Sequence, residues 1–85
     1  MAKKKRLSIP PGKQKWICVF QPEFREDLDS WVRFDRKVAL RILEIVDAVL
    51  KDPFSGIGKP EPLKHLAVGV WSRRITQEHR LVYLV

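Results

Sequence analysis

A chain of 85 residues has room for one small hydrophobic core and no second domain. Its single cysteine, Cys18, excludes an internal disulfide framework and fits a reducing compartment. No apolar run approaches the roughly 20 residues of a membrane span, so a cytoplasmic location and no membrane partner are expected. The net charge of +7 points to a polyanionic partner, and that charge is segregated along the chain.

Residues 1–14 mix lysines with Pro10, Pro11 and Gly12 and show no periodicity, which reads as a basic flexible tail ahead of a domain spanning 15–85. Across residues 1–15, Lys3, Lys4, Lys5, Arg6, Lys13 and Lys15 face no acid, so the rest of the chain is nearly neutral. Lys15 to Phe20 is dense in aromatic and β-branched residues and too short for a helix. It is expected as a first strand, with Trp16 and Val19 in the core and Cys18 a small buried side chain.

Pro22 suits the first turn of a helix, with Glu23, Glu26 and Asp27 near the positive end of its dipole. Phe24, Leu28, Trp31 and Val32 give that helix one apolar stripe. Asp35 is placed to cap a second helix ending near Lys51, in which Val38, Ile42, Ile45, Val46 and Val49 repeat at helical spacing. The short connection makes the two helices antiparallel neighbours.

From Asp52 to Gly69, five prolines and glycines up to Pro62 interrupt regular structure. Pro60 and Pro62 flank Glu61 and restrict the backbone around it, which argues for a held carboxylate. Val70 to Thr76 and His79 to Val85 are strand-like around a turn at Gln77 and Glu78. A two- or four-residue loop would put Arg80 on the face of Arg73 and Ile75, and a three-residue loop would put it with Arg74. The predicted order is strand, helix, helix, strand, strand: a small α+β fold with two helices packed on an antiparallel sheet.

The chemistry these residues allow is narrow. One cysteine and two histidines fourteen residues apart offer no metal-ligand cluster, and neither Ser55 nor Ser72 sits in a nucleophile elbow, so no metal and no cofactor are expected. What remains is a carboxylate among cations, which suits cleavage of RNA by its own 2′-hydroxyl. Glu61 can serve as the base and Arg80 and Lys64 as electrostatic partners. Phosphate binding without chemistry, or salt bridges on a solvated face, fits the same arginines. A generic RNA-binding domain is disfavoured because exposed aromatics interleaved with the basic residues are sparse.

The run PFSGIGKPEPLKHLAVGVWSRRITQEHRLVYLV closely resembles the Txe/YoeB family of bacterial toxins, in the RelE-like superfamily. The resemblance covers roughly Lys15 to Val85. It implies a RelE-like microbial RNase fold and a metal-independent, ribosome-dependent mRNA endoribonuclease that halts translation. It further implies a cognate antitoxin of the YefM type, ribosome and mRNA as partners, operator DNA only through the antitoxin complex, and a possible homodimer. Matched by motif, Glu61 takes the place of the general base and Arg80 that of the phosphate-stabilising arginine, both catalytic. Lys64 and Arg74 fall at RNA-binding positions. The family pattern continues into a final strand ending in a His-Tyr pair, which has no counterpart up to Val85. The expected fold therefore lacks that strand and the expected site its acid, a role assigned neither to His65 nor to His79. The alternative reading is a catalytically impaired relative acting as an antitoxin- or ribosome-binding module.

Overall fold

The computed structural model describes residues 16–85, so the tail expected at 1–14, together with Lys15, lies outside the described residues. The chain runs through helix α1 (Pro22–Phe34), helix α2 (Arg36–Lys51) and strands β1 (Glu61–Pro62), β2 (Val70–Arg74) and β3 (Arg80–Leu84). Both helices begin where the sequence places them. Pro22 opens α1, where a missing N–H costs nothing, and the Asp35 side chain accepts from the backbone N–H groups of Lys37 and Val38 at the start of α2. Asp35 also ends α1, its own N–H donating to the Trp31 carbonyl at 2.7 Å, so a single residue turns the chain from one helix into the next.

The core is built by α2. Ile42, Ile45, Val46 and Leu81 form its buried centre, and Phe24, Leu28 and Trp31 of α1, Val38 and Val49 of α2, and Tyr83 of β3 pack around it. The stripes read from the sequence are thus the ones buried, except that Val32 is 44 % exposed at the margin of α1. The three strands form an antiparallel sheet in the order β1-β2-β3. Pro62 is tolerated because β1 is an edge strand and needs hydrogen bonds on one side only.

The first strand expected at Lys15 to Phe20 does not form: Trp16–Phe20 is irregular, and the sheet begins instead at Glu61. The reason is the absence of a partner. A strand is stable only against a neighbouring ladder, and among the described residues no strand is paired with this segment, which is separated from β3 by a groove. Val19, expected in the core, is 82 % exposed and Cys18 is exposed as well, although partial burial pushes its thiol above the ordinary value. Trp16 is half-buried, its ring edge-on to Phe54 with centroids 6.5 Å apart. Residues 16–21 line one wall of an apolar groove of about 580 Å³, with α2 and β3 supplying most of the rest.

Candidate functional site

Strand alternation decides which side chains meet. In the β2–β3 hairpin Arg74 stands opposite Arg80, Ser72 opposite Val82 and Val70 opposite Leu84. The N–H groups of Ile75 and Thr76 both donate to the His79 carbonyl, leaving Thr76–Glu78 as the loop, and the Thr76 hydroxyl accepts from the N–H groups of Glu78 and His79. This is the three-residue case, and it puts Arg80 on the face of Arg74 rather than that of Arg73. The β1–β2 register then sets Glu61 opposite Ser72. Residues 61, 72, 74 and 80 therefore share one face of the sheet, and residues 71, 73, 81 and 83 share the other, which meets α2.

On the outer face the contacts are direct. The Arg80 Nε donates to the Ser72 hydroxyl at 2.9 Å, and a terminal nitrogen of the same guanidinium meets a Glu61 carboxylate oxygen at 3.3 Å. Ser72 is buried, the Arg80 side chain is 33 % exposed and that of Glu61 63 % exposed. The hydroxyl beneath and the carboxylate beside it thus fix the guanidinium plane while one edge faces solvent. Arg74, directly across the ladder, is exposed. Like charges opposite one another weaken a sheet, so this pair leaves an unbalanced positive face with a single carboxylate at its side.

Lys64 stands apart from this group. It lies in the exposed turn after β1, closed by the Leu66 N–H on the Leu63 carbonyl, and no hydrogen bond or ion pair joins it to Glu61 or Arg80. The histidines are not drawn to Glu61 and Arg80 either. The His79 ring lies edge-on to Trp31 of α1, with centroids 5.0 Å apart, and His65 is exposed in the same turn as Lys64. Among the described residues, no group of three or more His, Cys, Asp or Glu side chains is placed to hold a metal ion. No helix of the described residues is long and apolar enough to cross a membrane.

Arg73, which an even loop would have put beside Arg80, has a different place. It is 0 % exposed and points toward the helices. Its Nε donates to the Tyr83 hydroxyl at 3.1 Å, and its terminal nitrogens donate to the carbonyls of Ile57 at 3.2 Å, Ser55 at 3.0 Å and Asp52. The Tyr83 hydroxyl in turn donates to the Pro53 carbonyl at 2.6 Å. The loop is further pinned by Asp52, whose carboxylate accepts from the Ser55 hydroxyl and the Phe54 N–H. Those bonds, the Ser55 one foremost, hold its pKa below the usual carboxylate value. Gly58, at φ +83°, lies so close to β2 that a Cβ there would stand 3.0 Å from the Arg73 Cβ, and its carbonyl accepts from the Arg74 N–H at 2.6 Å.

The hydroxyl of Ser72 is the group that reading residue types missed. Its signal was positional: two residues before Arg74, it reaches the face of Arg80 once the hairpin loop is counted as odd.

A model of the YoeB-like toxins of bacterial type II toxin–antitoxin systems matches residues 20–85. Toxin YoeB of Mycobacterium bovis is 55 % identical over 64 residues, 75 % of each chain. Among solved structures, a YoeB/ParE toxin from Agrobacterium tumefaciens is 46 % identical with a TM-score of 0.68, over 72 % of this chain and 71 % of that one. The heterotetrameric YoeB-YefM toxin-antitoxin complex from Staphylococcus aureus contains a chain 42 % identical with a TM-score of 0.70, over 76 % of both. The two helices on an antiparallel sheet are the RelE-like α+β arrangement of these toxins. The matched region includes α1, α2, all three strands and every residue of the outer face, and the chain belongs to the YoeB-like toxins of bacterial type II toxin–antitoxin systems.

Proposed function

We propose that the outer sheet face is the nuclease site of a toxin that cleaves mRNA on the ribosome by attack of the message's own 2′-hydroxyl on the adjacent phosphate. The observation that carries this reading is the Glu61–Arg80 pair, set against Ser72 and opposite Arg74. Glu61 takes the proton of the 2′-hydroxyl as its oxygen attacks phosphorus, and the bond to the 5′-oxygen breaks as that oxygen takes a proton from solvent. Arg80, preorganised by Ser72, faces the phosphate as negative charge accumulates on its oxygens. Arg74 and, from its turn, Lys64 bind the phosphates of the strand on either side. The nucleophile belongs to the substrate, and the chemistry calls for no metal ion. A cognate antitoxin of the YefM type restrains the activity, in line with the composition of the Staphylococcus aureus complex, and its operator is reached only through that complex.

A second reading is favoured by one feature. Among the described residues the face holds a base and cations, and neither histidine is drawn to Glu61 and Arg80 to protonate the leaving oxygen. Absence of a general acid lowers a rate by about 10²–10⁴-fold, which would leave a relative that binds ribosome or antitoxin and cuts poorly. Adding the purified chain to a translating extract with an end-labelled message separates the two. The nuclease reading expects cuts within the translated frame that vanish when initiation is blocked. Co-sedimentation with ribosomes and an intact message would establish the binding module instead.

A further inference from the structure

The Arg73-Arg74 dipeptide is split by the pleat: Arg74 faces outward beside the proposed site, and Arg73 is wholly buried beneath it. A buried guanidinium is costly unless its donors are met, and here they are met almost entirely by one loop. Three carbonyls spread over residues 52–57 converge on it, and the Tyr83 phenol completes the set while also holding Pro53. No salt bridge of the described residues involves Arg73, so the loop's backbone dipoles and the phenol are what it organises. The loop runs from the end of α2 to Gly58, which is bonded to β2, and Glu61 follows three residues later.

We propose that Arg73 is a positioning residue for Glu61, acting with Tyr83 as a buried clamp that fixes the 52–58 connection and thereby the height of the carboxylate over the sheet. This rests on the reading of Glu61 as the base. The clamp ties the carboxylate to the same strand that carries Ser72 and Arg74, so base and phosphate site move as one body. A regular strand could not serve as well here, because Pro60 and Pro62 limit the backbone bonds that β1 can make. The Arg73 and Tyr83 side chains hold the loop from below and add to the backbone bond from the Arg74 N–H to the Gly58 carbonyl.

Tyr83→Phe tests the clamp, because it removes one acceptor of Arg73 and the Pro53 bond while leaving the ring that packs on the core. Single-turnover cleavage at saturating protein, which does not depend on the folded fraction, is expected to fall about 10–100-fold for a small misplacement of the base, with RNA affinity unchanged. Amide exchange should quicken at residues 54–58 and stay as slow as in the parent along α2. In the parent chain the Arg73 Nε–H itself should exchange slowly, a measurement that needs no variant. Unchanged loop exchange, an unprotected Arg73 Nε–H, or an equal loss of affinity and rate would overturn the proposal. A Glu61→Gln chain that cleaves like the parent would instead remove the reading of Glu61, and loop exchange in Tyr83→Phe would still report on the clamp.

Discussion

Glu61→Gln is expected to lower the rate of message cleavage by about 10²–10⁴-fold, the range for loss of a general acid or base, while leaving affinity for RNA as it was. The amide keeps the size of the carboxylate and an oxygen that can accept from Arg80, so the guanidinium stays seated on Ser72. What is lost is the group that receives the 2′-hydroxyl proton. If this face bound RNA without acting on it, the substitution would leave the bound complex unchanged. If Glu61 were only a partner for Arg80, the amide would still accept from the guanidinium and cleavage would continue near the parent rate. Single-turnover rates and equilibrium binding to a non-cleavable message separate these outcomes, and only a fall in rate at constant affinity fits a base.

The second large effect is on stability. Arg73→Met is expected to cost a few kcal/mol, since each buried carbonyl left without its donor costs about 1–3 kcal/mol. Methionine fills much of the volume, but the carbonyls of Asp52, Ser55 and Ile57 would be left facing an apolar side chain. A small domain has about 5–15 kcal/mol in total, so the loss should show as a large drop in the urea midpoint or as outright unfolding. Arg74→Met, on the exposed face, should leave the unfolding free energy within about 0.5 kcal/mol of the parent. Equal denaturation midpoints for the two variants would show that the buried guanidinium carries no structure. The contrast between adjacent arginines is the point: one residue of register separates a structural cation from one available to phosphate.

That contrast also marks what could be read from the sequence. The helices, the cap at Asp35 and the stripe from Val38 to Val49 were legible because helical periodicity and capping act over a few residues. Glu61 and Arg80 were legible as types and by motif, and their pairing awaited only the hairpin loop count. Arg73 could not be told from Arg74 as the outward arginine, because side-chain type does not report which face of a strand is buried. The sequence places an arginine, and only the ladder shows that its donors turn inward to the loop. Ser72 was passed over for the related reason that a serine carries no signal until its cross-strand neighbours are known. The segment at Trp16 to Phe20 failed differently: its β-branched and aromatic residues favour extended chain, but a strand is a property of two segments, and here the second is absent from the described sheet. Lys64 follows Glu61 closely in the chain yet lies beyond the strand in a turn, so proximity in sequence did not translate into contact.

The central claim is that this face breaks RNA through the message's own 2′-hydroxyl, and the chemistry of the product ends tests it most directly. A message cut by the parent chain should carry a 2′,3′-cyclic or 3′-phosphate upstream and a 5′-hydroxyl downstream, and a single 2′-deoxy substitution at the cut nucleotide should abolish that cut alone. Products with a 3′-hydroxyl and a 5′-phosphate, or undiminished cleavage at the 2′-deoxy position, would contradict the assignment of Glu61 and Arg80.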